Sequence, residues 1–557
     1  MQDAPHFKWW PKHHPKELTY PSVPVHANLD AAAARFGDRA FIHFYGRAIS
    51  WAEAKDAVDR LAGYLQKDAG VQKGDRVLLY AQNSPHYIFA FTAILKCGAV
   101  VVPVSPMNRA HELEHFVTDS GATAAFVGQE LMDNTAELAG SFTKRIAIAY
   151  NDYASPPMDM DTPDDVRAPA QTFNDPTIVT WAKALAANLT ADAVEIAQDA
   201  LAALPYTSGS TGLPKGCMLT HAAIQASSLN SALWEDLDEH SVALVVAPMT
   251  HISGQQMGMN RSILVGATIV LMQRWNPALA ARLVEEFHCT HLNMVPVMAG
   301  DLLSDPEAAR YSLKSVKVIS GGGAAMPAAQ SQKLLDTYGL KFLEGYGLTE
   351  ICCQSHVNPP DRIKLQCMGI PIFGMESRVI DIDTHDPLPP GESGEIVLRG
   401  ASLFSGYWNN DAANREAFVE IGGKTWYRTG DIGWMDEDGY FFFAERLKRM
   451  INAAGLKVWP VEVESMMYRH PAVRDCCIIA APDARRGETV KAVIVLKDGA
   501  GDTSAKEIID WAHEQMAPYK APRIIEFVDA LPRGTTGKVN WRELQEREFG
   551  GAATSTN

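Results

Sequence analysis

The sequence predicts an α/β fold: a large N-terminal domain of α/β layers with a small antiparallel β subdomain, followed by a small α+β C-terminal domain. Three observations predict it. Over the first 150 residues, helical and strand patterns alternate, which favours a largely parallel sheet. Between about residues 375 and 444, the pattern changes to short strands with Asp-Gly and Gly-Glu turns. The last 110 or so residues form a further mixed unit, and 557 residues exceed what one core accommodates.

The first elements follow a βαβ pattern. Ser50 and Glu53 have the spacing of a capping box, and apolar residues at helical intervals follow them. A strand at 76–81, a helix that ends near Gly98 and a buried strand at 99–103 come next. Residues 151–176 carry five prolines and many acidic residues, so we expect a long surface excursion there. The alternation then resumes, with strands expected from Ala243 and at 267–272, 291–295 and 316–319.

The later elements define the domains. Asp438-Gly439 predicts a hairpin between strands at 432–435 and 440–443. Strands are expected at 475–480, 490–496 and 523–528, with a helix at 504–516. The basic segment Arg446–Arg449 separates the two parts. The predicted domains are therefore a large one at 1–445, with a β-barrel-like subdomain at 375–444, and a small one at 446–557.

Composition excludes several classes of protein. A net charge of −16 argues against nonspecific nucleic-acid binding, because an acidic surface repels a polyanion. No stretch has the 18 or so apolar residues of a membrane-spanning helix, and the first residues lack the apolar core of a secretory signal, so we expect a cytoplasmic protein. The 8 cysteines and 17 histidines show no C-x-x-C or H-E-x-x-H spacing, and no protein-ligated metal cluster is expected.

The run TSGSTGLPKG, from Thr207 to Gly216, has the composition of a phosphate-binding loop. Its glycines allow sharp turns that bring backbone N–H groups close to an anion. Leu213 and Pro214 interrupt the spacing of the common nucleotide loop G-x-x-x-x-G-K-[ST]. The phosphate-contacting residues expected here are Thr207, Ser208, Gly209, Ser210, Thr211, Gly212 and Lys215.

This loop resembles the phosphate-binding signature of the adenylate-forming superfamily, which includes acyl-CoA synthetases, stand-alone adenylation domains and luciferase-type enzymes. Six further motifs recur in the family's order over roughly the last 350 residues, and so many in sequence are hard to produce by chance. They are PMTHISG at 248–254, the glycine loop at 320–325, EGYGLTE at 344–350, YRTGD at 427–431, ERLKRMI at 445–451 and PRGTTGK at 532–538.

The resemblance implies an ATP site with a role for each motif. Thr349 would contact the α-phosphate, and Glu350 would hold Mg²⁺, which prefers carboxylate and phosphate oxygens. Asp431 would bind the ribose hydroxyls, with Arg446 as its helper. The adenine slot would be formed by an aromatic face and a glycine loop: Tyr346, Gly322, Gly323 and Ala324.

The resemblance also implies that the small domain is a mobile lid with its hinge near Lys448. Lys538 would bridge the attacking carboxylate and the α-phosphate in the first half-reaction. Gly455 would line the pantetheine channel in the second. His251 would form a wall of the acid pocket, where small or flexible neighbours such as Gly254 and Gly258 would leave space for an apolar tail.

The function implied is an ATP-dependent carboxylic acid:CoA ligase, most like one for a medium- or long-chain fatty acid or an aryl acid. It would use ATP, Mg²⁺ and CoA, and release AMP and pyrophosphate from an acyl-adenylate route. Two alternatives stay open: an enzyme that loads a separate carrier protein, and a nonenzymatic nucleotide- or acyl-binding protein. The sequence also leaves a homo-oligomer open.

Overall fold

The structure is a computed structural model that describes residues 4–207, 213–453, 456–483, 487–533 and 539–554. The strands before residue 372 are β1 Ala40–Phe44, β2 Arg47–Ser50, β3 Arg76–Tyr80, β4 Val100–Val104, β5 Ala124–Gly128, β6 Lys144–Ile148, β7 Ile178–Thr180, β8 Leu201–Ala203, β9 Tyr206–Thr207, β10 Lys215–Gly216, β11 Leu219–Thr220, β12 Val242–Val245, β13 Thr268–Leu271, β14 His291–Asn293, β15 Val318–Gly322, β16 Phe342–Leu348, β17 Cys353–Val357 and β18 Ile370–Pro371. The later strands are β19 Met375–Ile380, β20 Gly394–Gly400, β21 Phe418–Ile421, β22 Lys424–Met435, β23 Phe441–Arg446, β24 Ile451–Ala453, β25 Leu456–Val458, β26 Val473–Asp483, β27 Gly487–Leu496 and β28 Ile524–Phe527.

The helices alternate with these strands. They are α1 Ala27–Phe36, α2 Trp51–Lys67, α3 Pro85–Lys96, α4 Ala110–Ser120, α5 Asp164–Arg167, α6 Trp181–Ala186, α7 His221–Trp234, α8 Arg261–Val265, α9 Pro277–Phe287, α10 Pro296–Ser304, α11 Ala328–Tyr338, α12 Asp411–Ala417, α13 Pro460–Met467, α14 Ala505–Gln515 and α15 Trp541–Thr554. None of the helices in the described ranges is long and apolar enough to cross a membrane.

The chain divides into two compact units. The first comprises Met1–Arg378, Val397–Tyr427 and Met435–Phe442, and the second comprises Val379–Ile396, Arg428–Trp434 and Phe443–Asn557. The predicted domain boundary at 445/446 and the hinge near Lys448 stay predictions.

Two mainly parallel sheets form the framework of the first unit. One has nine strands in the order β18-β17-β16-β15-β14-β12-β13-β1-β2, and the other has seven in the order β11-β8-β4-β3-β5-β6-β7. In the nine-stranded sheet the run from β16 to β1 is parallel, and the edge strands β2, β17 and β18 are antiparallel. The α/β prediction is confirmed.

Chain order reverses direction at β12 of the nine-stranded sheet. β13 pairs with one side of β12, and β14 pairs with the other. Because β12, β14, β15 and β16 all run parallel, their carboxyl ends lie along one edge. In open α/β sheets, ligands bind at this kind of edge near the point of reversal.

Two local predictions for the first unit differ from the structure: the capping box at Ser50 and the surface excursion at 151–176. The Ser50 Oγ accepts from the Glu53 amide at 3.1 Å and starts α2, but the Glu53 carboxylate pairs with Arg47 instead of completing a capping box. The expected surface excursion at 151–176 is wrong in part, because Met160 and Val166 are buried. Isolated apolar anchors such as these have no period that would reveal them in the sequence.

The antiparallel segment is confirmed. It forms a five-stranded sheet in the order β19-β20-β22-β21, with β23 also paired to β22. The predicted hairpin joins β22 to β23, and both strands are longer than expected. At its turn, the Gly439 amide donates to the Asp436 carbonyl at 3.0 Å, and Gly439 has a φ of 83°.

The second unit contains a five-stranded sheet in the order β25-β24-β27-β26, with β28 paired to β27. Only the pairing of β27 with β28 is parallel among the pairs described in this sheet. Helix α14 begins with a complete capping box between Ser504 and Glu507. Its Ile508 packs into an apolar core with Ile478 and Ile494, so the expected strands and helix of this region are confirmed.

Candidate active site

Three loops of the first unit leave the carboxyl ends of parallel strands in the nine-stranded sheet. The loop after β12 carries His251, the loop after β15 carries Gly323 and Ala324, and the loop after β16 carries Thr349 and Glu350. The structure therefore brings residues that are up to 99 positions apart to the same edge of one sheet.

The loop that carries His251 is anchored by two side chains from the start of α3. The Asn83 amide nitrogen donates to the carbonyl of Ala247 at 3.0 Å, and its oxygen accepts from the amide of Met249 at 2.8 Å. The Tyr87 hydroxyl donates to the Met249 carbonyl at 2.9 Å. No local pattern in the sequence indicates these anchors, because they lie more than 160 residues from the loop.

His251 itself is exposed, and its ring makes no hydrogen bond to any described residue. The protein atoms around it nevertheless desolvate the imidazolium and lower the pKa of the ring. The ring is therefore neutral near pH 7. Such a side chain can line a site without adding charge to it.

The small residues after His251 do not create open space, which corrects the expectation for this segment. A Cβ on Gly254 would lie 2.3 Å from the Pro248 carbonyl oxygen, and one on Gly258 would lie 2.7 Å from a Val245 methyl group. Both belong to a buried π-helix at Gly254–Asn260. These glycines allow close packing, and any acid pocket must be formed by other side chains.

The three consecutive glycines after Ser320 have different physical roles. A Cβ on Gly321 would lie 1.8 Å from the Met294 carbonyl oxygen, and one on Gly322 would lie 2.3 Å from the Gly345 carbonyl oxygen. Gly323 instead has a φ of +80°, and a Cβ at this position would have no atom within 4 Å. The first two glycines thus let strands approach, and the third lets the exposed loop turn.

Tyr346 lies on β16 beside this loop. It is half-buried, and its ring centroid is 5.8 Å from that of the buried His356 on β17. Ala324 is exposed in the neighbouring loop. Strands β15 and β16 are paired from Ile319 to Gly322. Tyr346 and the loop that carries Ala324 therefore lie at the ends of neighbouring strands.

Glu350 is held at two points. Its Oε1 accepts from the Tyr407 hydroxyl at 2.9 Å, and its backbone carbonyl accepts from the Phe404 amide at 2.7 Å. The residue is 9% exposed, and its Oε2 has no hydrogen bond to the residues that the structure describes. Thr349 is half-buried at the start of the same 3₁₀ turn, Thr349–Ile351. The carboxylate is thus oriented through one oxygen, and the other can accept a cation.

Lys215 lies beside this carboxylate support. It pairs directly with Thr207 across the β9–β10 hairpin, and its Nζ is 5.0 Å from the centroid of the Tyr407 ring. A cation over an aromatic face is stabilised by the ring quadrupole. Five residues of the expected phosphate loop lie outside the described residues: Ser208, Gly209, Ser210, Thr211 and Gly212.

Two buried phenols surround Glu350. Burial and the negative charge of Glu350 raise the pKa of Tyr407, and the same causes raise that of Tyr427. Both hydroxyls therefore stay protonated. Tyr427 begins a motif that the sequence singled out, but Tyr407 carried no signal of its own.

The second unit brings Asp431 and Arg446 together. Asp431 is fully buried, and the Arg446 Nε lies 2.7 Å from its Oδ1. The backbone before it turns at Gly430, where φ is +67° and the amide donates to the Glu395 carboxylate at 3.0 Å. The predicted pairing of these two residues is thus present within this unit.

The segment that follows is tied to α13. Arg449 pairs with Glu445 at 3.2 Å and also with Glu464. Burial raises the pKa of the Glu445 carboxyl, although Arg449 opposes this effect. Lys448 is exposed in the 3₁₀ turn Leu447–Arg449. Gly455 and Lys538 lie outside the described residues.

Comparison with known proteins decides the family. The profile of the AMP-binding enzyme family matches residues 29–408, and that of the AMP-binding enzyme C-terminal domain matches residues 462–538. The chain belongs to the family of AMP-binding enzymes. It is an AMP-forming acid–CoA ligase, and ATP is its nucleotide.

The relatives of this AMP-binding enzyme include ligases of different acids. It is 32% identical to a long-chain-fatty-acid–CoA ligase of Bacillus subtilis, over 97% of each chain. It is 33% identical to a feruloyl-CoA synthase of Amycolatopsis, over 90% of this chain and 94% of the relative. The ATP-bound structure of MatB from Rhodopseudomonas palustris matches with a TM-score of 0.79 and 26% identity, over 94% of this chain and 99% of MatB.

Proposed function

We propose that this chain converts a medium- or long-chain fatty acid, or an aryl acid, into its CoA thioester through an acyl adenylate. The observation that carries the proposal is the contact series Lys215–Tyr407–Glu350 beside the carboxyl edge of the nine-stranded sheet. It joins a cation suited to phosphate and a carboxylate suited to a metal ion in one unit.

Glu350 fits the needs of Mg²⁺. Mg²⁺ usually takes one or two carboxylates and keeps water and substrate phosphates as its other ligands. One Glu350 oxygen is oriented by Tyr407, and the other has no hydrogen bond to a described residue. When bound, the ion would neutralise charge that develops on the phosphates. Glu350 would hold it, and Tyr407 would position Glu350.

The remaining nucleotide contacts follow the family resemblance. Tyr346 and the loop Gly322–Ala324 would bind adenine, Asp431 and Arg446 the ribose, and Thr349 the α-phosphate. The hydroxyl-rich run from Thr207 to Gly212 would hold the other phosphates together with Lys215. The support in the structure is the joint location of the first-unit residues on adjacent strand ends.

In the chemical steps, a carboxylate oxygen of the acid attacks the α-phosphorus of ATP, and pyrophosphate leaves. Lys538 would stabilise the charge of this step. The CoA thiol then loses its proton, and its sulfur attacks the acyl carbon, displacing AMP. Gly455 would let the pantetheine arm pass close to the backbone.

The class of acid is supported by the relatives, which include a long-chain fatty-acid ligase and a feruloyl-CoA synthase. His251 would form a neutral wall of the acid pocket. The packing of Gly254 and Gly258 removes those two positions as a source of space.

The test is pyrophosphate release over acids of graded chain length and aromatic content, with thioester formation on free CoA measured in parallel. We expect activity to rise from acetate to longer chains or aryl acids, and the thioester to appear. Highest activity on acetate would contradict the acid class. A stalled acyl adenylate in the presence of CoA would instead favour transfer to a carrier protein.

A Lys538→Ala variant separates the half-reactions. We expect acyl-adenylate formation to fall about 10²–10³-fold, the usual scale for one preorganised electrostatic group. Thioester formation from presynthesised acyl adenylate should stay near the wild-type rate. Equal loss of both half-reactions would remove the specific role of Lys538.

A further inference from the structure

Two adjacent histidines and one aspartate converge outside the predicted nucleotide site. The Nε2 of His13 lies 3.3 Å from Oδ2 of Asp236, and the Nε2 of His14 lies 4.0 Å from Oδ1 of the same residue. One potential ligand atom from each side chain lies within 4.8 Å of the others. No other group of three His, Cys, Asp or Glu side chains in the described ranges meets this condition.

A second observation concerns the burial of His14. Its side chain is only 5% exposed, and its Nε2 is buried without a hydrogen-bond partner. The ring packs against Trp234 and Phe373, with centroid separations of 6.1 and 5.5 Å. A buried ring nitrogen without a hydrogen-bond partner requires an explanation, and a bound ion is one.

The two histidines differ in their contact with Asp236, because His13 hydrogen-bonds to the carboxylate at 3.3 Å and His14 does not. At 4.0 Å the His14 nitrogen is too far from the carboxylate for a hydrogen bond. Two ligands on one tetrahedral zinc ion, each bonded at about 2.0–2.2 Å, are roughly 3.3–3.6 Å apart. The two nitrogen–oxygen separations of 3.3 and 4.0 Å are close to that value, and all three ligand atoms lie within 4.8 Å of one another, so side-chain rotations would bring the three groups onto one ion.

The aspartate is well placed for this role. Asp236 lies two residues after the end of α7, has a φ of +53°, and its side chain is 65% exposed. One carboxylate oxygen lies near His13 and the other lies near His14. Asp236 can therefore share one ion with both rings. The site is open to solvent on the Asp236 side, which gives an ion a route of entry.

We propose that His13, His14 and Asp236 bind one divalent transition-metal ion of the zinc class, with water completing the coordination. Imidazole nitrogen with one carboxylate is a ligand set that suits Zn²⁺ and Co²⁺ and does not suit Mg²⁺. The ion would fasten the N-terminal segment to the end of α7. The two histidines precede residue 29, where the family match begins.

The experiment is a titration of Zn²⁺ and Co²⁺ into the full-length protein after chelator treatment, without ATP. We expect one tightly bound ion per chain, an absorption spectrum of Co²⁺ with nitrogen and oxygen ligands, and a rise in the melting temperature on adding Zn²⁺. Ligand binding to the folded state alone stabilises it by mass action.

Asp236→Asn and His13→Gln are the informative variants, because both side chains are exposed and Asn tolerates positive φ. Each should weaken the binding by about 10-fold or more and remove the thermal shift, since even outer-shell changes have effects of that size. Pyrophosphate release should be unchanged. His111→Ala, at an exposed position on α4, is the control and should bind like the wild type.

Three results would overturn the proposal. They are the absence of stoichiometric binding in the wild type, binding that is equal in both variants and the wild type, and a sulfur-to-cobalt charge-transfer band. The last would assign the ion to cysteine. A melting temperature that falls in the variants without any metal effect would identify the cluster as an ion pair alone.

Discussion

Glu350 in the first unit and Asp431 in the second are both buried carboxylates, but they have different partners. Glu350 accepts from the neutral Tyr407 hydroxyl, whereas Asp431 lies 2.7 Å from the Arg446 guanidinium. A neutral donor fixes the orientation of Glu350 and leaves its negative charge uncompensated. A guanidinium offsets the charge of Asp431 and leaves a polar acceptor.

The difference explains how one functional group can have two proposed roles. An uncompensated carboxylate favours a divalent cation, and a charge-compensated one favours neutral hydroxyl groups such as those of ribose. Environment sets the role of each carboxylate, as it does for paired acids in other active sites. Four substitutions test whether these carboxylates differ in this way.

The largest effect is expected from Glu350→Gln, which removes the charge and keeps the shape. Adenylation should fall about 10²–10³-fold, because a group that holds the metal contributes mainly in the transition state. Nucleotide binding should be retained, and Mn²⁺ should restore part of the rate. Pyrophosphate release measures the effect, with the exposed Glu437→Gln as control. An unchanged rate would remove Glu350 from the site.

Asp431→Asn should act on binding more than on rate. Hydrogen bonds to a charged acceptor contribute about 1.5–3 kcal/mol, so the KM for ATP should rise roughly 10–100-fold. The wild type should prefer ATP to 2′-deoxy-ATP, and the variant should lose this preference. Steady-state kinetics with both nucleotides are the measurement. A preserved preference would mean that Asp431 does not contact the ribose.

Glu344 provides a third buried carboxyl for the comparison. Burial raises its pKa to about 7, although hydrogen bonds with the backbone at Met326 and Gln366 oppose the shift. Because the folded state has the higher pKa, the contribution of this group to stability is complete below about pH 4.5. It is then lost as the pH rises through about 7.

Glu344→Gln should therefore flatten the pH dependence of unfolding. Relative to the variant, the wild type should lose on the order of 2–3 kcal/mol of stability between pH 4.5 and 8. Melting temperatures of the two proteins across this range give the measurement. Parallel profiles would show that Glu344 keeps an ordinary pKa in the folded protein.

The smallest effect is expected from Tyr407→Phe. Loss of one hydrogen bond of about 0.5–1.5 kcal/mol should raise the Mg²⁺ concentration needed for half-maximal rate by roughly 2–10-fold. At saturating Mg²⁺ the rate should return towards the wild type, which a general loss of folding would not produce. Mn²⁺ affinity in the nucleotide complex gives a readout independent of turnover. Tyr427→Phe removes a neighbouring buried hydroxyl that is not the donor to Glu350 Oε1, so it is the matched control and should shift less.

Much of the fold could be predicted because its signals are local. Ser504 and Glu507 mark the start of α14 within four residues, and the Asp438-Gly439 turn is visible as a dipeptide. The failures have a common cause. The burial of Met160 and Val166 depends on neighbours distant in sequence, and the close packing around Gly254 depends on the Pro248 carbonyl.

The sequence by itself determined the α/β class, the order of the motifs and the residue types that the proposed chemistry needs, because each is encoded in short segments. The distant residues that support the motif residues are visible only in the tertiary structure. Tyr407 reaches Glu350 across 57 residues, Asn83 reaches Met249 across 166, and His14 faces Asp236 from another part of the chain. Such contacts depend on how sheets and helices pack, and packing leaves no local pattern in the sequence.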